Sequence, residues 1–261
     1  MNQPKVIQAM RNFLFFSAAL LILTACGENQ PQTPATDTTV QVEQQETPSS
    51  LTGGDSHSGP NPHAKLSAEQ HIAVAMQHAD EGRGDEALDV LTRAITESPN
   101  DPSLIGTRGS LLLAQNRAFD ALVDLEKAVT LAPDSALLLI NRSQAYRKFN
   151  RYQEAMTDLN KAVAISPKLV PARFNRGTLL YGEAKYKEAM ADFDICIQVA
   201  PSTAGPYFNR AVTRDAMGDQ AGAVSDMNKF IELSDNPEWI KIARDTMTDW
   251  EKSGQPEKQA N

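Results

Sequence analysis

From Ser67 onward the chain is written in a helical period: apolar residues return every three or four positions, and short polar or Gly- and Pro-containing stretches interrupt them. The pattern also repeats as a whole. Ala87, Ala121, Ala155, Ala189 and Ala223 lie 34 residues apart, and Pro99, Pro133, Pro167 and Pro201 keep the same spacing. A large apolar residue follows each alanine by four places (Leu91, Leu125, Leu159, Phe193, Met227), and a small one precedes it by twelve (Ala75, Gly109, Ser143, Gly177, Ala211). Each unit therefore predicts two helices that approach closely at the small residue. A proline ends the second helix, because it lacks an N–H and its ring clashes with a continuing helix. Ser67 with Gln70 makes a capping-box pattern for the first helix, and Asp101-Pro102 supplies an N-cap and a first-turn proline for the third. After Pro237, Ile240, Ala243, Met247 and Trp250 form one more apolar stripe, backed by Lys241, Arg244, Asp245 and Asp249. That suits the end helix a repeat array needs for solubility. Trp239 falls off this stripe.

This register resembles the tetratricopeptide repeat, from Ala68 to about Pro237, in five units. The resemblance implies an all-α fold, a right-handed α-α superhelix of about five helix-turn-helix repeats plus a C-terminal capping helix. The expected organisation is a signal peptide over 1–25, a lipidated cysteine and disordered tether over 26–66, repeats over 67–237, the capping helix over 238–252, and a disordered tail over 253–261.

Within repeats two to five, Arg108, Arg142, Arg176 and Arg210 occupy one position of the first helix, where the family usually has Leu. Sixteen residues on stand Asp124, Asp158, Asp192 and Asp226, while the first repeat has Val74 and Val90 at the two places. Both members are charged or both are apolar, so the two positions are expected to touch, because an unpaired half-buried charge is costly. An inter-helix structural ion pair is favoured over an anion receptor.

In the resembled family the first helices line the concave face. Carried over, its groove positions are Asn141, Asn175 and Asn209, with Thr107 in the second repeat. Ile140, Phe174 and Phe208 stand one residue before them, and Gln144, Tyr181, Arg147 and Lys148 further along the face. An amide offers a donor and an acceptor, so an asparagine ladder could bond the main chain of an extended peptide, with the phenylalanines holding its apolar side chains. The carboxylate-clamp variant is not expected, since Pro171 and Gly205 stand where it needs cations.

The amino terminus is different. Lys5 and Arg11 precede an apolar run, Phe13 to Leu23, shorter than the roughly 20 residues that span a bilayer. Leu23-Thr24-Ala25-Cys26 then resembles a lipoprotein lipobox, which implies cleavage before Cys26 and acylation of its sulfur and new amino terminus. Gly27, rather than Asp, implies outer-membrane sorting. Gly27 to Leu66 is rich in Gln, Thr, Pro, Ser and Gly without an aromatic residue, and reads as a flexible tether with a reach of roughly 35 Å.

Composition narrows the function. Hydrophobic residues make up 41% of the 261, but aromatics only 6%, which fits small-residue helix packing. Net charge is −8, and falls to −10 once Lys5 and Arg11 are removed, so nucleic acid is a poor partner. The four histidines (His57, His63, His71, His78) lie at irregular spacing without a completing ligand set, so no metal site is expected. No catalytic motif stands out, and Cys196 occupies a second-helix position usually held by Ala, where a buried inert thiol is expected. No cofactor and no enzyme activity are expected. The leading expectation is a lipid-anchored scaffold on the periplasmic face of the outer membrane that binds extended segments of envelope proteins through its concave face. The alternatives are a pilotin-like assembly factor of a secretion or envelope complex, and a spacer held by its lipid.

Overall fold

The computed structural model describes residues 66–253. The signal segment, Cys26, the tether up to residue 65 and the tail from 254 on lie outside the described residues. Eleven helices follow one another among the described residues: α1 (Ala68–Asp80), α2 (Gly84–Glu97), α3 (Pro102–Ala114), α4 (Ala118–Leu131), α5 (Ala136–Lys148), α6 (Tyr152–Ile165), α7 (Val170–Gly182), α8 (Tyr186–Val199), α9 (Ala204–Ala216), α10 (Gln220–Leu233) and α11 (Pro237–Ser253). The first ten pair as five antiparallel hairpins, and α11 packs on α10.

Two turns alternate along the array, each set by sequence. Inside every hairpin the first helix ends on a residue with positive φ: Gly82 (75°), Asn116 (60°), Asn150 (56°), Ala184 (57°) and Gly218 (84°). The next N–H then reaches back five residues, as from Arg117 to Leu112 O (2.8 Å) and from Lys185 to Leu180 O (2.9 Å). This left-handed cap satisfies carbonyls the helix end would leave bare. Between hairpins the chain makes a β-turn with proline second. Asp101 N donates to Ser98 O (3.2 Å), Ser135 N to Ala132 O (3.2 Å), Leu169 N to Ser166 O (3.1 Å) and Thr203 N to Ala200 O (3.1 Å). The last repeat has Asp235 in place of the proline; there Asn236 caps α11 by accepting from Glu238 N (3.0 Å) and Trp239 N (3.2 Å). At the other end Ser67 and Gln70 form a reciprocal capping box, and the Asp101 carboxylate accepts from Ser103 N and Leu104 N.

Helix crossing follows the small residues. A Cβ added at Gly109 would stand 2.7 Å from Leu125 Cγ, and one at Gly177 would stand 2.8 Å from the Phe193 ring. Successive first helices (α1, α3, α5, α7, α9) touch one another as well as their own partners, whereas successive second helices make no comparable contact. Crowding on one side and splaying on the other bends the array, with first helices inside. The apolar core falls into two clusters. The first runs from Ala75 to Leu179 and is built of Ala, Leu, Ile and Val with Tyr146; the second runs from Phe174 to Trp250 and carries the phenylalanines. Both draw on α7, and Met156 packs against each.

The end helix is rotated from its expected stripe. Ala243, Thr246 and Trp250 are buried, with Trp239, Ile242 and Met247 packed beside them, and Ile240 is not among them. Trp239 takes that place because its ring meets Phe208 edge-on at 6.0 Å.

Candidate functional site

The Arg–Asp pairs join the two helices of a hairpin. Arg108 donates from Nε and Nη2 to both carboxylate oxygens of Asp124 at 2.7 and 2.8 Å, and Arg142 does the same to Asp158 at 2.8 and 2.7 Å. Arg176 forks onto Asp192 and Arg210 onto Asp226 at like distances. The aspartates are buried and the guanidiniums half-buried. Side-chain bonding to the aspartate raises the pKa of Arg108, Arg142, Arg176 and Arg210 against the opposing effect of burial. Further charges join later in the chain: Arg173 also reaches Asp192 (2.7 Å), and Arg214 also reaches Asp226 (3.0 Å). These planar forks fix helix register. In each fork Nε and Nη2 of the guanidinium are committed to the aspartate, which supports the structural reading.

The asparagines lie on the first-helix face, but do not form an open ladder. Asn141 is half-buried and donates from Nδ2 to Ser110 Oγ (2.7 Å) on α3; Ser110 passes its own proton to Gly106 O (3.0 Å). Asn209 is 1% exposed and repeats the motif two helix pairs on, donating to Thr178 Oγ1 (3.2 Å), which donates to Phe174 O (2.8 Å). Its Oδ1 has no hydrogen-bond partner among the described residues. Asn175 faces Gln144 where the other two face a hydroxyl; it turns back to Pro171 O (2.8 Å) and accepts from Arg147 Nη1 (3.2 Å). Asn175 and Asn209 are therefore pins between neighbouring first helices, which corrects their assignment as peptide contacts.

Ile140, Phe174 and Phe208 require a second correction. They are 3%, 4% and 0% exposed and belong to the core, not to the groove. Phe174 meets Phe193 at 6.2 Å between centroids, and Phe208 meets Phe230 at 5.1 Å. One residue along a helix is a turn of roughly 100°, enough to carry a side chain from the open face into the gap between repeats.

What remains open is concentrated on repeats two to four. Leu137, Asn141, Gln144 and Lys148 follow one another at helical spacing along α5, and Leu137 is 48% exposed. Leu137, which is not among the expected groove residues, stands one turn before Asn141 on the same face. Thr107 is half-buried, its hydroxyl bonded to Ser103 O (2.7 Å). Arg147 is half-buried beside Lys148, which donates to Asn116 Oδ1 (3.3 Å). Burial depresses the Arg147 pKa to about 10; it also lowers that of Lys148, with the Arg147 charge adding to it. The Tyr181 ring meets that of Tyr186 at 5.4 Å between centroids, tilted by 50°, and burial pushes its phenol up to about 12. Cys196 is fully buried, its thiol is pushed up to about 12 by burial, and it donates to Val170 O (3.6 Å), the setting of an inert thiol. Among the described residues there is no cluster of three metal-ligating side chains, and no helix is long and apolar enough to cross a membrane.

Residues 107–169 match the family described as tetratricopeptide repeat. No curated relative matches the chain by sequence. Solved structures with the same fold include TTC0263, a thermophilic TPR protein in Thermus thermophilus (TM-score 0.58, 19% identity, covering 70% of this chain and 99% of that one). YrrB, described as a TPR protein with an unusual peptide-binding site, superposes with a TM-score of 0.53 at 20% identity over 69% of this chain and 92% of its own. MamA residues 41-end from Desulfovibrio magneticus RS-1 gives 0.55 at 19% identity, covering 64% and 94%. The repeat register, the paired helices and these likenesses agree: the described residues stack as an α-α solenoid of the tetratricopeptide-repeat type, with the repeat itself matched over residues 107–169.

Proposed function

We propose that this chain is a non-catalytic scaffold that receives an extended segment of a partner protein on its first-helix face, and that lipid on Cys26 holds it to the periplasmic side of the outer membrane. The observation that carries the binding reading is the strip Leu137, Asn141, Gln144 and Lys148 on the inner side of the bend. It mixes an exposed apolar side chain with amides that retain hydrogen-bonding capacity. The peptide-binding site named for YrrB, a protein of the same fold, supports this reading by analogy. The anchoring reading rests on Lys5, Arg11, the apolar run from Phe13 to Leu23, and Leu23-Thr24-Ala25-Cys26-Gly27.

Two experiments test the parts separately. A photo-crosslinking residue placed at Leu137 or Gln144 should capture a discrete envelope protein in living cells, while one at Thr157, exposed on a second helix, should not. Equal capture from both faces rejects the binding reading. For the anchor, radiolabelled palmitate should enter the chain and be lost in Cys26→Ser; a Cys26→Ser chain that still takes label and sediments with outer membranes rejects it.

A further inference from the structure

Seven arginines are half-buried among the described residues: Arg108, Arg142, Arg147, Arg173, Arg176, Arg210 and Arg214. Six of them bond a buried aspartate of their own hairpin: Asp124, Asp158, Asp192 or Asp226. Arg147 is the exception. No carboxylate lies within ion-pair reach of it among the described residues, and one hydrogen bond, Nη1 to Asn175 Oδ1 at 3.2 Å, serves a guanidinium with five N–H groups. Its neighbour Lys148 is a second cation, and the Arg147 charge helps to lower the Lys148 pKa. A protein that pairs the other six half-buried arginines leaves this one without a carboxylate, on the helix that also carries Leu137, Asn141 and Gln144.

We propose that Arg147 anchors an acidic side chain, Asp or Glu, of the foreign segment that lies along the first-helix face, with Lys148 as the second positive contact. The inference rests on the binding reading above and adds the chemistry of one contact. Charge complementarity carries it: the guanidinium is already partly stripped of water, so an incoming carboxylate gains a planar, two-bond partner whose desolvation is largely complete. Burial lowers the pKa of Arg147 to about 10, the direction expected of a cation partly withdrawn from water. A purely structural Arg147 would need only its Asn175 bond, which a neutral amide could also make.

The test uses the full mature chain and a displayed library of random dodecapeptides. Selected peptides should share an acidic residue at one position. For a synthetic peptide from that set, Glu→Gln or Asp→Asn in the peptide should weaken binding tenfold or more to the parent chain, and less than twofold to Arg147→Gln. Amidating the peptide's C-terminus should change nothing, which separates a side-chain carboxylate from a terminal one. Arg147→Gln should melt at the same temperature or a few degrees higher, and Arg147→Lys should retain part of the affinity. Peptides that bind Leu137-dependently but tolerate Arg147→Gln would overturn this inference and leave the binding reading standing. A library that yields no first-helix-face binder overturns both. If deleting residues 27–65 raises peptide affinity tenfold, the acidic occupant is the chain's own tether and the foreign partner is rejected.

Discussion

Three sites hold testable free energy in different forms. Ala184 sits at φ 57°, the place that Gly or Asn takes in the other four hairpins. A β-carbon in the left-handed region is strained, and glycine removes that strain at some entropic cost. Ala184→Gly should therefore stabilise by about 0.5–1 kcal/mol in urea denaturation. At the Arg142–Asp158 fork, losing one partner strands a buried charge. Arg142→Leu should cost about 3 kcal/mol, while Arg142→Leu with Asp158→Leu should return to within about 1 kcal/mol of the parent. Additive losses in that cycle would reject the pair as a coupled unit. Asp215 shows the opposite electrostatic sense. Burial raises its pKa despite the bond it accepts from Trp250, so the folded state holds the proton more tightly than the unfolded chain. Ionised Asp215 thus weakens the fold at neutral pH, and the penalty fades as pH falls through its raised value. Asp215→Asn keeps the acceptor for Trp250; it should melt higher than the parent at pH 7 and lose that advantage in acid.

At the level of the helix, the Gly177–Phe193 crossing sets two effects against each other. Alanine is the better helix former by about 1 kcal/mol, yet its Cβ would press on a rigid ring at 2.8 Å. Overpacking should win. Gly177→Ala is expected to lower stability by about 1–2 kcal/mol on a thermal melt, and Gly177→Ala with Phe193→Leu should recover much of that loss. The same reasoning explains what was legible. Spacings of 34 residues carry the helices, their crossings and their turns, because every hairpin must solve one packing problem with the same residue types. The turn position itself (Gly82, Asn116, Asn150, Ala184, Gly218) shares that spacing, but alanine in one of the five masks the signal. Asn175 and Asn209 misled for a different reason. An amide on a helix face looks alike whether it meets a ligand or its own neighbours; Asn209 is told apart by Thr178, 31 residues earlier, and Asn175 by Pro171 and Arg147, which it bonds. Phe174 and Phe208 misled through azimuth, since a single residue's step separates groove from core. Arg147 is identified by the carboxylate it lacks, which no local pattern can display.

For the whole molecule, the division of the core at α7 matters more than the number of repeats. Stability in a stacked array is approximately a sum of units and their nearest-neighbour interfaces, so a thin interface limits how far cooperativity extends. The contact between α6 and α7 is the slightest of those joining one hairpin to the next, and the aliphatic cluster passes to the aromatic one there. Both tryptophans of the chain, Trp239 and Trp250, lie in the aromatic block. Indole fluorescence is then blind to the first three hairpins, whereas far-ultraviolet dichroism weighs all eleven helices. Followed together in guanidinium, the two signals should trace midpoints that separate; superimposable curves would mean that the stack melts as one body from Ala68 to Ser253.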